Sequence, residues 1–127
     1  MNKSMEDNLG IVIDKIENGF VQAFMPVDER TCQPYGYLNG GASAALAEII
    51  AGHGSIALCT DKEIACGVHL SADHISMVQC GESVRAEAKL IHQGRSRHIW
   101  NVEIFSEKEK LVSTIKVVNQ IIKKSDE

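Results

Sequence analysis

Residues 38–58 read LNGGASAALAEIIAGHGSIAL, and this stretch decides the fold. Its apolar residues recur at spacings of three and four, which is typical of one face of a helix. We expect the following face to pack against a β-sheet: Ala42, Ala45, Leu46, Ile49, Ile50, His53 and Ile56. The other face carries small residues around one acid: Gly41, Ala44, Glu48, Gly52 and Ser55. Side chains this small leave space beside the helix, so we expect another object to lie there.

Glu48 is the only Asp, Glu, Lys or Arg between Thr31 and Thr60. A solvated helix face usually offsets a charge with others three or four residues away, whereas Glu48 has Ala44 and Gly52 in those places. We interpret Glu48 as a carboxylate in a small-walled, partly dry pocket, where it can act as a base. A glutamate that reaches solvent, or that accepts a structural hydrogen bond, is the alternative.

Length and composition predict one domain, residues 1–127, with a single core. Apolar residues make up 44% of the chain and charged residues 24%, which is ordinary for a soluble globular protein. The first eight residues have no apolar core like that of a signal peptide, and no apolar run of membrane-spanning length is free of polar residues. We therefore expect a cytoplasmic protein that does not enter a membrane.

The net charge of −4 argues against a nucleic-acid binder, which would need a basic surface for phosphates. The four cysteines form no CxxC pair, so reduced thiols are expected, and Cys32 has no identifiable basic partner that would make it a nucleophile. The five histidines form no metal-binding spacing such as HExxH. We expect neither a metal nor a cofactor.

Strand-like runs surround the helix. Two short runs joined at Asn18-Gly19 predict a hairpin, and a loop over residues 28–38 then leads to Asn39 as the helix N-cap. Alternating patterns predict strands over residues 11–16, 20–25, 63–76, 83–93, 97–105 and 111–122. Short links favour an antiparallel meander of about four strands after the helix. The predicted class is α+β, with one long central helix wrapped by a curved antiparallel sheet of five to six strands.

Four segments carry a resemblance to a known family: residues 30–43 (RTCQPYGYLNGGAS), 46–48 (LAE), 71–74 (SADH) and 94–100 (GRSRHIW). On these motifs the chain resembles the hotdog-fold acyl-CoA thioesterases, in the branch that includes 4-hydroxybenzoyl-CoA, phenylacetate-pathway and 1,4-dihydroxy-2-naphthoyl-CoA thioesterases. The likeness covers nearly the whole chain. It implies the hotdog fold and hydrolysis of an acyl-CoA thioester to a free acid and CoA.

The resemblance also implies roles for single residues. Glu48 matches the catalytic carboxylate, which acts as a nucleophile or as the base for a water. Gln33 matches a residue that orients the thioester or the water, and the backbone N–H of Gly40 or Gly41 matches the group that polarises the carbonyl. Physical chemistry supports the last role, because a helix N-terminus stabilises developing negative charge.

Gly41 and Glu48 are seven residues apart, which is about 10 Å along a helix axis. They cannot easily flank one carbonyl, but a second copy could supply the missing half of the site, with Glu48 of one subunit facing Gly40, Gly41 and Gln33 of its partner. The resemblance implies such a homodimer with shared active sites, often doubled to a homotetramer.

The chain departs from the family pattern at two positions. Asn39 stands where the family usually has His, which leaves a hydrogen-bond donor beside the thioester but no base. Gly52 stands where the family has Ser or Thr one turn after the carboxylate, so it offers no hydroxyl to hold a water. A non-catalytic acyl-CoA binding protein of the same fold is the alternative that these departures leave open.

Coenzyme A carries phosphates, which need cationic or hydrogen-bonding partners. We expect its site among residues around the Gly94 turn: Lys89, His92, Arg95, Ser96, Arg97 and His98. The family match places His74 along the pantetheine channel. A solvated basic turn is the competing interpretation of any one of these residues. Neither the acyl group nor the pathway can be identified from the sequence.

Overall fold

The computed structural model describes residues 3–125, and its helices and strands surround one long helix. In chain order they are α1 (Met5–Leu9), β1 (Val12–Glu17), β2 (Phe20–Pro26), α2 (Gly40–Leu58), β3 (Glu63–His74), β4 (Ser83–Gln93), β5 (Arg97–Ser106) and β6 (Leu111–Lys123). The strands form one antiparallel sheet in the order β1-β2-β4-β5-β6-β3. This architecture confirms the predicted α+β hotdog class, with six strands.

Helix α2 begins and ends where the sequence predicts. Asn39 is its N-cap, with extended backbone dihedrals, and its Oδ1 accepts a hydrogen bond of 2.8 Å from the Gly41 N–H. The length and apolar composition of α2 would also suit a membrane-crossing helix. Here, however, Leu46 and Ile50 are fully buried in the core that α2 shares with the sheet, as in the central helix of a globular domain.

The predicted inward face of α2 was partly wrong. The buried residues are Ala42, Ser43, Leu46, Ala47, Ile50, Ala51, Gly54 and Ser55. Ile56, which was expected inside, is 56% exposed, while Ser55 is fully buried. The reason is Trp100 on β5: a Cβ added at Gly54 would lie only 2.5 Å from the indole Cη2. An indole needs the small-residue face of the helix, so α2 is rotated from the predicted orientation.

The predicted four-strand meander was also wrong. β4, β5 and β6 are consecutive neighbours, but β3 pairs with β6 at the far edge and β4 pairs with β2. The pairing of β2 with β4 joins two rows of buried side chains, such as Ala23 beside Ala86. β3 also contains a register shift between Gly67 and His69, so its predicted single apolar face does not exist. Ile64, Cys66 and Val68 are exposed.

Helix α1 was not predicted, although its signals are present. Ser4 and Asp7 form a capping box, and Gly10 ends the helix with φ of 78°. The Glu6 Oε1 lies 2.7 Å from the His53 Nε2, so α1 is tied to the outer side of α2. The predicted fraying of residues 123–127 lies partly outside the described residues.

Candidate active site

Glu48 projects from the middle of α2 toward strand β3. A Cβ added at Gly67 would collide with the Glu48 carboxylate, so the carboxylate lies where a side chain of β3 would otherwise be. Both residues line a cleft of about 400 Å³ together with Ala45, Ile49, Gly52, Ile56 and Asn119, among others. In the single chain the Glu48 side chain is exposed rather than partly dry. Sequence reasoning missed Gly67, whose only signal was a glycine within a strand pattern.

The start of α2 offers one free backbone donor. The Gly41 N–H is used by Asn39 Oδ1, whereas the Gly40 N–H has no hydrogen-bond partner within residues 3–125. His74 lies over Gly40, since a Cβ there would be 2.7 Å from the His74 Nε2. The other ring nitrogen, Nδ1, lies 2.8 Å from the Ser113 Oγ, which sets the orientation of the ring. The helix start therefore presents one N–H beside an oriented imidazole.

The Gln33 side chain is held by hydrogen bonds within the loop before α2. Its Oε1 accepts hydrogen bonds from the Tyr35 N–H at 2.5 Å and the Tyr37 N–H at 3.4 Å. The amide orientation leaves its Nε2 without a partner among the described residues. Gln33 can therefore donate a hydrogen bond but has its oxygen already occupied.

One chain does not bring the predicted catalytic residues into one cleft. Gly40 and His74 line a cleft of about 170 Å³ on one side of the helix start. Gly41 and Asn39 line a second one, of about 200 Å³, on the other side. That second cleft meets the Glu48 cleft at Met5 and Ala45. A groove therefore runs along α2 from its N-cap to Glu48.

The basic residues around Gly94 lie at the opposite end of the sheet from His74. Lys89, His92, Arg95, Ser96 and Arg97 are exposed, and over residues 3–125 no carboxylate forms an ion pair with the lysine or either arginine. Cross-strand pairing places His74 level with Ile104 of β5. Ile104 lies six residues along β5 from His98, at the basic end of that strand, and six strand residues span about 20 Å. The two parts of the predicted CoA site are thus separate within one chain.

His98 does not belong to this basic group, which corrects the sequence prediction. It alternates inward with Trp100 and is only 4% exposed. Its Nδ1 lies 2.8 Å from the Ser55 Oγ, beneath α2. Burial lowers the pKa of His98, while Glu63 raises it and His92 lowers it further. A buried, neutral imidazole cannot receive a phosphate.

Ser55 is the centre of a buried polar network that the sequence did not predict. Its Oγ receives hydrogen bonds from the Trp100 Nε1 at 2.8 Å and the Asn119 Nδ2 at 2.9 Å. Because these donors occupy both lone pairs, the Ser55 hydroxyl must donate to His98, which requires an unprotonated Nδ1. Asn119 also donates to the Ala51 carbonyl at 3.1 Å.

Cys32 lies beside the Gln33 loop, but it is a poor nucleophile. Desolvation, with contributions from Cys80 and nearby acids, raises the pKa of the Cys32 thiol to about 11. The reactive thiolate is therefore scarce at neutral pH.

Comparison with known proteins gives one consistent result. Residues 35–113 match the family model described as "Thioesterase superfamily". The chain is 35% identical to the proofreading thioesterase EntH of Klebsiella pneumoniae over 94% of this chain and 86% of that protein. It is 39% identical to the 1,4-dihydroxy-2-naphthoyl-CoA hydrolase of Escherichia coli, over 90% and 83%. A thioesterase structure from Haemophilus influenzae superposes with a TM-score of 0.89 at 34% identity, covering 94% of this chain and 83% of that one.

Proposed function

The chain belongs to the thioesterase superfamily, and we propose that this thioester hydrolase cleaves an acyl-CoA to a free acid and CoA with Glu48 as its catalytic carboxylate. The observation that carries the proposal is the position of Glu48. It is the only Asp, Glu, Lys or Arg of α2, and its carboxylate is exposed to a cleft of about 400 Å³ that two glycines help to line. A reactive ester can therefore approach it.

As a general base, Glu48 takes a proton from a water while the water oxygen attacks the thioester carbonyl carbon. The C–S bond then breaks, and the CoA thiolate leaves with the proton that Glu48 returns. As a nucleophile, Glu48 would instead form a mixed anhydride that water hydrolyses. A single turnover in ¹⁸O-labelled water can separate these routes, because only anhydride hydrolysis at the Glu48 carbonyl would put label into the protein.

The start of α2 is the proposed site for the oxyanion. The free N–H of Gly40, the positive end of the helix dipole and the Nε2 of Gln33 are donors suited to developing negative charge. A single donor of this kind typically contributes about 100-fold to 1,000-fold in rate. Because the Gly41 N–H is already used by Asn39, Gly40 is the better candidate, with Gly41 and Asn39 shaping the helix start.

The exposed basic turn is the proposed site for the CoA phosphates. Its members are Lys89, His92, Arg95, Ser96 and Arg97. His74 is placed beside the thioester instead, since it lies over Gly40. Within one subunit, the basic turn and His74 lie about 20 Å apart along the sheet.

We therefore place the active site between two copies of the chain. Within one copy, Glu48 and Gly40 line different clefts. The exposed apolar residues of edge strand β3, including Ile64 and Val68, support a contact along β3 that would cover Glu48 and dry its cleft. A homodimer of this kind, doubled to a homotetramer, is the proposed assembly, and the proposed location is the cytoplasm.

The purified chain should release thiol from at least one member of a panel of aromatic and aliphatic acyl-CoA thioesters. Binding of the same compounds, measured by calorimetry, provides the comparison. Tight binding without thiol release across the panel would favour the non-catalytic acyl-CoA binding role. If the chain neither binds nor hydrolyses any of these compounds, the proposed substrate class is contradicted.

A further inference from the structure

Asn119 carries the one buried side-chain oxygen or nitrogen without a hydrogen-bond partner among the described residues. The residue is 1% exposed, and the unpartnered atom is its Oδ1. Its Nδ2 donates to the Ala51 carbonyl and to Ser55, which sets the orientation of the amide. A buried acceptor left unpaired costs about 1–3 kcal/mol, so native proteins usually supply a water or a ligand to it.

The unpartnered oxygen lies close to the proposed catalytic carboxylate. Asn119 is the direct cross-strand partner of Gly67, and such partners point to the same face of a sheet with Cβ positions about 5 Å apart. The Glu48 carboxylate occupies the position of the missing Gly67 side chain. Glu48 and Asn119 therefore line one cleft on either side of the space above Gly67.

The bridging molecule must donate two hydrogen bonds, because an ionised carboxylate and an amide oxygen are both acceptors. Water meets this requirement. The cleft that Glu48 and Asn119 line is open beside Gly52, one turn after Glu48, where an added Cβ would meet no atom of residues 3–125 within 4 Å.

We propose that the Asn119 Oδ1 holds the water that Glu48 deprotonates. The inference rests on the proposed function, in its general-base form. One water hydrogen is donated to Glu48 and the other to Asn119, so a lone pair of the water oxygen is left to face the thioester carbon. Glu48 then takes the first proton as the new C–O bond forms, and it returns that proton to the CoA thiolate when the C–S bond breaks. Asn119 keeps its hydrogen bond throughout.

The decisive comparison is between Asn119→Val and Trp100→Phe, which removes a donor to Ser55 but leaves both Asn119 hydrogen bonds in place. Both break the buried network, but only the first removes the water acceptor, and valine suits a strand. We expect Asn119→Val to lower kcat at least about 30-fold with KM within about threefold, in line with the loss of a positioned proton-transfer partner. Trp100→Phe should keep kcat within about threefold of the wild type once the folded fraction is corrected by circular dichroism. Asn119→Ala replaces the valine variant if the latter does not fold.

A rescue variant separates a positioning role from a structural one. Adding Gly52→Ser to Asn119→Val places a hydroxyl in the same cleft, and we expect it to restore kcat about tenfold. A wild-type kcat in Asn119→Val, or an equal loss in Trp100→Phe, would overturn the inference. If the inference is overturned while the wild type hydrolyses thioesters and Glu48→Gln does not, only the role of Asn119 is rejected and the proposed function stands. If the wild type hydrolyses none, the proposed function itself fails.

Discussion

Gly67 shows how a missing side chain can position a reactive one. The strand backbone leaves a space there, and the Glu48 carboxylate occupies it. We expect Gly67→Ala to lower kcat at least about tenfold because the methyl group displaces the carboxylate, while the flexible end of the glutamate moves at little cost to stability. Steady-state kinetics and thermal unfolding measure the two effects. Cys66→Ala, on the exposed neighbouring residue, is the control, and an equal loss of kcat there would contradict this explanation.

His98 gives the protein a specific pH dependence of stability. An unfolded histidine titrates near pH 6.5, and burial lowers the pKa of His98 in the folded state. Below about pH 6.5 the unfolded chain therefore binds a proton that the folded chain does not. The free energy of unfolding should fall as the pH drops toward the lower folded pKa, by at most about 1.4 kcal/mol per pH unit.

Urea unfolding of the wild type and of His98→Gln between pH 5 and pH 8 measures this contribution. The contributions of the other histidines are the same in both proteins and cancel in the difference. The free energy of unfolding of the wild type relative to His98→Gln should therefore shrink as the pH falls. Parallel curves would mean that the His98 pKa is the same in the folded and unfolded states.

At the scale of elements, Gly52 weakens helix α2 and opens the cleft beside Glu48. Glycine within a helix costs about 0.5–1 kcal/mol relative to alanine, and a Cβ at Gly52 meets no atom of residues 3–125 within 4 Å. We expect Gly52→Ala to raise the free energy of unfolding by about that amount, which calorimetry would detect as a Tm higher by a few degrees. A lower Tm would show that the cleft is filled by something that the methyl group displaces.

The elements themselves were largely predictable, because their signals are local. Asn39 as N-cap and the alternation of β4 and β5 depend on neighbouring residues, and both were confirmed. The rotation of α2 was not predictable, since it depends on Trp100 meeting Gly54 from 46 residues away in the chain. The pairing of β3 with β6 was missed for a different reason. Short links favour sequential neighbours, whereas the chain passes from β3 at one edge of the sheet to β4 beside β2.

At the scale of the whole molecule, the candidate site was only partly predictable. Glu48 and Gly40 could be named from spacing and resemblance, but Gly67 and Asn119 could not, because both matter only after β3 pairs with β6. The predicted dry pocket is absent from one chain, where Glu48 is exposed. The shared site therefore stays a prediction about two chains.

A mixing experiment tests that shared site. Proline at the first helical position removes the Gly40 N–H without breaking the helix. If Glu48 of one subunit works with Gly40 of the other, a heterodimer of Glu48→Gln and Gly40→Pro chains contains one intact site. Two weakly active variants, unfolded and refolded together in equal amounts, should then regain about a quarter of the wild-type activity, since half of the dimers are mixed and each has one of two sites. Each variant refolded alone is the control. Mixtures no more active than the controls would place both residues of a site in one subunit.

The catalytic role of Glu48 is tested most directly by the kcat of Glu48→Gln on the best acyl-CoA substrate, measured by thiol release. The glutamine keeps the size of the side chain but removes the base, so we expect kcat to fall at least about 1,000-fold while calorimetric binding and the unfolding temperature stay close to the wild type. Glu29→Gln, on an exposed acid of the segment between β2 and α2, should retain full activity. A Glu48→Gln enzyme with a kcat within about threefold of the wild-type value would contradict the role of Glu48 as the catalytic carboxylate.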